Sequence, residues 1–290
     1  MRSSLECLPC LVRQAVDAVG LVVDDEIRRE SVMRLVFREL SGMDFGQPPP
    51  VVAQGIHRLL RHVTGAEDPF RRSKDRFNAM ALELLPAFER RVAESAYPFG
   101  AAVRLAIAGN VIDLGAKGNL TEDDAFSVVD RAFEEPVEGD VEEFQNAAFS
   151  AGSILYLADN AGEIVFDRIL IGLLPAGRVT VAVRGRPVIN DAVESDAAAA
   201  GLDRLARVIN NGSDAPGTVL RDCSQEFLEC YRRADIVIAK GQGNYETLCD
   251  ENRNIYFLFR VKCPIVASHS GFTAGTHALV RRREAGAVGT

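Results

Sequence analysis

Apolar residues in the first hundred positions recur at intervals of three and four, the spacing of one face of an α-helix. Leu5, Leu8, Leu11, Val12, Ala15 and Val19 form one such stripe. Ile56, Leu59, Leu60 and Val63 form another, closed by Gly65 where glycine commonly follows a helix end. Pro48–Pro50 suit a loop running into a helix start. Asp68 before Pro69 reads as an N-cap with proline at the first helical position, opening a long helix through Phe77, Met80, Leu84, Phe88 and Val92. Pro86 is expected to kink or split it.

From Ser153 the pattern changes to short β-branched runs separated by helix-length connections. Strands are predicted at Ile154–Ala158, Val179–Val183, Arg207–Ile209, Asp235–Ala239 and Ile255–Phe259. This alternation predicts an α/β protein: three αβα layers around a mostly parallel sheet, preceded by an N-terminal helical subdomain. The expected division is a helical cap over residues 1–100 and an α/β metal- and phosphate-binding domain over 101–290, sharing one site. The acidic segment Glu134–Glu143 reads as a joint from the helical part to the sheet part or as the exposed face of a connecting helix. Arg281–Arg283 and the small residues that follow read as a frayed end.

In open α/β sheets ligands collect at the carboxyl ends of the strands. The predicted strands end there in polar residues: Asp159 and Asn160, Arg184, Asn210 and Asn211, and Lys240. In the richest segment a strand runs straight into Asp159-Asn160-Ala161-Gly162-Glu163, where glycine permits a tight turn into a helix. A carboxylate and an amide oxygen suit a hard divalent cation, and the helix N-terminus suits a phosphate beside it. Asp159 alone fits an N-cap better. Asp191 is a third candidate oxygen ligand and equally a cap for the alanine-rich helix that follows. In Lys240-Gly241-Gln242-Gly243-Asn244, glycines let backbone amides approach an anion and a lysine adds charge, but the spacing matches neither a Walker loop nor a dinucleotide fingerprint. Lys262 is a further phosphate partner, or a solvated surface lysine.

Charge and cysteine usage narrow the picture further. Across 290 residues, 33 Lys+Arg face 41 Asp+Glu, a net charge of −8 that argues against general affinity for nucleic acid or anionic lipid. With neither an apolar leader nor a membrane-length apolar run, the expected location is the cytoplasm. Six cysteines spread over this length read as reduced thiols. Cys7 and Cys10 offer two of the four ligands of a closed zinc site, and His57 and His62, five apart, leave one helix face, so such a site is not expected. A thioredoxin-type pair belongs at a helix start after a strand, whereas this pair reads as lying inside a helix. It forms a candidate thiol cluster with Cys263.

Taken together, the Asp159–Asp167 segment, Pro187-Val188-Ile189-Asn190-Asp191, Lys240–Glu246 and Val261-Lys262-Cys263 resemble the metal-dependent damage-control phosphatase family. That family was long known only as a domain of unknown function and is related to proteins described as acidic-residue methyltransferases. The helical half resembles it too, through Cys7-Leu8-Pro9-Cys10, a mark of one subgroup, through Asp68-Pro69-Phe70 with Lys74 and Asn78, and through Asn110 and Asp113. Phe70 stands where a tyrosine is more usual. The resemblance implies a phosphatase of small phosphorylated metabolites, with Mg²⁺, Mn²⁺, Co²⁺ or Ni²⁺ held by Asp159, Asn160 and Asp191. Lys240, Gly241, Gly243, Asn244 and Lys262 would hold the phosphate, with Gly162, Glu163, Asn110, Asp113 and Arg184 in support. Cys263 differs from the residue other subgroups carry after the lysine, which bears on substrate choice. The alternatives are an S-adenosylmethionine-dependent carboxyl methyltransferase, for which no convincing adenosyl loop follows the first strand, and a non-catalytic metabolite-binding protein. The oligomeric state is not readable from the sequence.

Overall fold

The computed structural model describes residues 1–109, 130 and 133–282. Asn110, Asp113 and Arg283 lie outside the described residues. Helices span Leu8–Val22, Glu26–Ser41, Pro49–Thr64, Arg71–Ala93 and Pro98–Ala108. Seven strands follow: β1 (Val137–Glu138), β2 (Ile154–Leu157), β3 (Val179–Val183), β4 (Arg207–Asn210), β5 (Ile236–Lys240), β6 (Ile255–Arg260) and β7 (His277–Arg282). They form one sheet in the order β1-β7-β6-β5-β2-β3-β4, parallel except where β7 runs against β6. From β2 the chain steps outward through β3 and β4 and then returns to place β5 on the other side of β2. The carboxyl ends of β2 and β5 therefore flank the point where strand order reverses, the usual ligand crevice of such a sheet.

The predicted α/β architecture is present, with the sheet covered on both faces. Ile154 and Tyr156 of β2 join one core with Phe88, Leu105 and Phe166, whereas Leu155 and Leu157 join a second with Phe227, Tyr245 and Val266. Strands buried on both sides read as continuous apolar runs, which is why β2, β5 and β6 were legible. The missed strands, β1 and β7, lack such a run. β7 ends in Arg281 and Arg282, so the expected fraying begins too early: Arg281 Nη1 pairs with Glu143, and its Nε donates to Asn254 Oδ1 at 3.2 Å. The acidic segment holds β1 and then Asp140, which caps the Val141–Ser150 helix by accepting from Glu143 N at 2.8 Å.

Three helical expectations need correction. Leu5, 71% exposed, lies in a 3₁₀ turn before the first helix rather than on its buried stripe of Leu11, Ala15, Ala18 and Val19. Asp68 does not start its helix. Its carboxylate accepts from Phe70 N at 3.1 Å, making Asp68-Pro69-Phe70 a turn before a helix that begins at Arg71. That helix also runs unbroken through Pro86, because Pro86 lies on the solvent face while Ala81, Leu85, Phe88 and Val92 bury the opposite one.

The helical part docks on the sheet part through polar contacts. Lys74 Nζ lies 2.9 Å from Asp196 Oδ2, and Gln54 Nε2 donates to Asp214 Oδ1 at 2.7 Å. His57, edge-on to Phe70, is buried with no hydrogen-bond partner for Nε2. Burial, with help from the Arg61 charge and against that of Asp214, depresses its pKa from 6.5 to about 4. Between those values only the unfolded chain takes up the proton, so this contribution is complete above 6.5 and is lost as pH falls toward 4. The shift corresponds to about 3 kcal/mol. In urea unfolding at a series of pH values, His57→Leu is expected to lose stability more shallowly than the parent between pH 6.5 and 4; equal slopes would remove His57 as the cause.

Candidate functional site

The loop after β2 and the loop after β3 are laced together at the sheet rim. Ala192 N donates to Asp159 O at 2.8 Å, Ala161 N donates to Asn190 O at 2.9 Å, and Asn160 and Asp191 face each other in an antiparallel bridge. This brings Asp159, Asn160 and Asp191 side by side although 31 to 32 positions separate the first two from the third. Within the second loop Ile189, just before Asn190, is at φ 45° the described non-glycine residue held at positive φ. A β-branched residue there carries strain of about 1–3 kcal/mol, tolerated where surrounding contacts over-determine it.

Neither aspartate is a helix cap. Gly162, at φ 77°, and Val193 occupy the cap positions of the next two helices, so both carboxylates are left to the rim. Asn78 Oδ1 takes the Gly162 amide at 2.7 Å, and a Cβ at Gly162 would stand 3.0 Å from Phe77 Cβ, which explains the glycine. Asn160 donates to Asp159 Oδ2 at 2.9 Å and to Glu163 Oε2 at 3.1 Å. With both amide hydrogens committed to carboxylates, its oxygen is the atom left for a cation. Arg184 reaches the same carboxylates, with Nε 2.6 Å from Asp191 Oδ2 and Nη2 3.6 Å from Asp159 Oδ1. Burial pushes the Asp159 carboxyl well above its usual range; Glu163 and Asp191 add to this, and Arg184 and Lys262 oppose it.

Lys240 is placed differently from the phosphate contact expected of it. Fully buried, its ammonium lies 2.6 Å from both Glu163 Oε1 and Asp167 Oδ1, beneath the rim rather than on it. Lysine at the last position of β5 follows the strand alternation inward. Desolvation works against its charge, but Asp167 and Glu163 outweigh it and hold the pKa above the usual lysine value. Asp167 in turn is raised to about 6, by burial above all. Asn244 is also structural, donating to Lys240 O at 2.7 Å and accepting from Thr218 Oγ1 at 2.8 Å. Gly241, at φ 77°, is a cradle: a Cβ there would stand 1.9 Å from Asp159 Oδ2.

A cavity of about 310 Å³ opens over this rim. Asp159, Asn160, Asp191, Gly243 and Lys262 line it, together with Cys7, Cys10 and Cys263. Both the N-terminal helices and the sheet thus supply walls. The Cys7/Cys10 pair sits at the start of the first helix, not inside it as expected, although no strand precedes it. Burial pushes the Cys263 thiol up. Sequence reasoning did not single out Glu246 or Gln242 as site residues, yet both line the cavity, and Gln242 Nε2 donates to Glu246 Oε1 at 2.8 Å. Burial raises the Glu246 carboxyl to about 7. The signal available was its spacing four residues after Gln242 on a short helix. Asn210 and Asn211 instead build their loop, taking the amides of Gly212 and of Gly185 and Ser213.

The oxygen donors fit a hard cation on charge as well as chemistry. Around the rim and its cavity the buried carboxylates Asp159, Glu163, Asp167, Asp191 and Glu246 outnumber the buried cations Arg184 and Lys240. A divalent ion would offset that excess of carboxylate, at the rim where ligands collect in a doubly wound α/β protein.

Residues 3–277 match the family model described as the damage-control phosphatase ARMT1-like domain. The chain is 33% identical to a damage-control phosphatase of Pyrococcus horikoshii, over 98% of this chain and 99% of that one. It is also 33% identical to a damage-control phosphatase of Archaeoglobus fulgidus, over 95% and 97%. The crystal structure of a DUF89 family protein from P. horikoshii covers 98% of this chain and 100% of its own with a TM-score of 0.90 at 33% identity. The chain belongs to the damage-control phosphatase ARMT1-like family.

Proposed function

We propose that this protein is a divalent-metal-dependent phosphomonoesterase acting on small phosphorylated metabolites. The observation that carries the reading is the convergence of Asp159, Asn160 and Asp191 on one cavity with Lys262. The naming of its relatives as damage-control phosphatases agrees with it.

Asp159, Asn160 and Asp191 would hold the ion, and Mg²⁺, Mn²⁺, Co²⁺ or Ni²⁺ suits that donor set. When bound, such an ion offsets charge on the phosphoryl group as a Lewis acid. The remaining work falls to the chain. Glu163 orients the Asn160 amide, and Lys240 holds the Glu163 and Asp167 carboxylates in place. Lys262, which lines the same cavity, would meet the phosphate, aided by the amides that open the Gly241–Leu248 helix. Asp159 acts as ligand and not as nucleophile, because Ala161 stands where the haloacid-dehalogenase pattern needs a second aspartate.

The helices before residue 101 act as a cap that closes the cavity with Cys7, Cys10, Leu11 and Gln14. About 310 Å³ is at the small end of ligand sites and suits a sugar phosphate or a fragment of a cofactor. Turnover of a panel of sugar and cofactor phosphates, with each of the four metals and with chelator, tests the proposal. Metal-dependent phosphate release is expected; release unaffected by chelator, or none with any metal, would overturn it.

A further inference from the structure

Cys249 and Asp250 follow directly on the Gly241–Leu248 helix, and His269 lies near the end of the Pro264–Ser270 helix. One ligand atom from each residue, a sulfur, a carboxylate oxygen and a ring nitrogen, lies within 4.8 Å of the other two. The cysteine and the histidine are twenty positions apart, so no sequence spacing announces the cluster. We propose that these three side chains form a second cation site, distinct in chemistry from the oxygen-lined rim, that takes a borderline-soft divalent ion with Zn²⁺ as the type case.

The donor set supports this choice. Thiolate, imidazole and carboxylate together suit Zn²⁺ or Co²⁺, whereas oxygen ligands alone suit harder ions. The site is also held in shape. Tyr245 OH lies 2.9 Å from His269 Nδ1 and fixes the orientation of the ring. Tyr245 is itself fixed, stacked on Phe259 with ring centroids 4.6 Å apart and edge-on to Phe257. Cys249 is buried whereas Asp250 and His269 are exposed, which gives an ion a path in from solvent. The position already attracts a cation: the Met1 amino group lies 2.9 Å from Asp250 Oδ2 and 3.6 Å from Cys249 Sγ. Binding would release the thiol proton to solvent and displace that amino group, which leaves as the ammonium it already is.

The placement gives the site a role. The helix ending at Cys249 carries Gln242, Gly243 and Glu246, and the helix carrying His269 begins just after Lys262 and Cys263; all five residues line the cavity. An ion bridging Cys249 and His269 staples two walls of that cavity together without entering it. This structural consequence rests on the phosphatase reading only for its effect on turnover; the binding itself does not.

Co²⁺ titration of the full chain, followed by visible absorption and then competed with Zn²⁺, tests the proposal without any turnover. The parent is expected to show a sulfur-to-cobalt charge-transfer band with tetrahedral ligand-field bands, both removed by Zn²⁺. Cys249→Ser should abolish the charge-transfer band, and His269→Ala and Asp250→Asn should each weaken Co²⁺ binding by about tenfold or more. Zn²⁺ should raise the Tm of the parent and not that of His269→Ala. Should Cys249→Ser fail to fold, the two exposed positions decide. Absence of the band in the parent, or a band of unchanged affinity in His269→Ala and Asp250→Asn, would overturn the proposal, and persistence in Cys249→Ser would assign the sulfur to the Cys7, Cys10 and Cys263 group instead.

Discussion

Asp159→Ala is expected to lower metal-dependent kcat/KM on any accepted phosphate ester by about a thousandfold or more, on the order of 4 kcal/mol of transition-state stabilisation. The carboxylate is central to the rim: Asn160 donates to it, Arg184 approaches it, and Gly241 leaves it space that no side chain could share. The same substitution should leave the Tm unchanged or raise it. Burial with Glu163 and Asp191 nearby already disfavours the ionised form of Asp159, so its loss relieves an unfavourable charge in the absence of metal. Steady-state kinetics with saturating Mn²⁺ or Co²⁺ and a thermal melt in chelator check the two halves together. Near-normal turnover would remove Asp159 as a ligand; lost turnover with a collapsed Tm would make it a structural residue.

The sheet was legible in the sequence wherever a strand is buried on both faces. Ile236–Lys240 and Ile255–Arg260 read as apolar runs because each of their faces meets a helix layer. β7 was not legible, since His277 and the closing arginines break the run and its pairing with β6 and β1 makes it a strand. In the candidate site, the gathering of Asp159, Asn160 and Asp191 was legible. Asp159, Asn160 and Asp191 meet because two loops after neighbouring strands are stitched by backbone hydrogen bonds, and strand-end position already implied that meeting. What could not be read was direction. Lys240 and Asn244 stand in the right loop, but the pleat and the helix turn aim them beneath the rim, and one residue of register decides between pocket and core. The partners that aim them, such as Thr218 and Asp167, lie 26 to 73 positions away and carry no local pattern.

The placement of Lys240 leads to the other large expected effect. Lys240→Met should cost about 3–5 kcal/mol of folding stability, because it leaves Glu163 and Asp167 as two buried carboxylates with no cation between them. The gap between variant and parent should narrow as pH falls from 8 to 5, since Asp167, whose carboxyl burial already raises to about 6, can then take up a proton and lose the charge that the lysine offset. Adding Asp167→Asn to Lys240→Met should restore part of the loss by removing one of the two stranded charges. Denaturant unfolding across that pH range measures all three. A lysine that touches phosphate directly gives the opposite pattern: Lys240→Met would keep the parental stability at every pH, KM would rise by about tenfold or more, and Asp167→Asn would rescue nothing. The two outcomes separate a cation that builds the rim from one that binds across it.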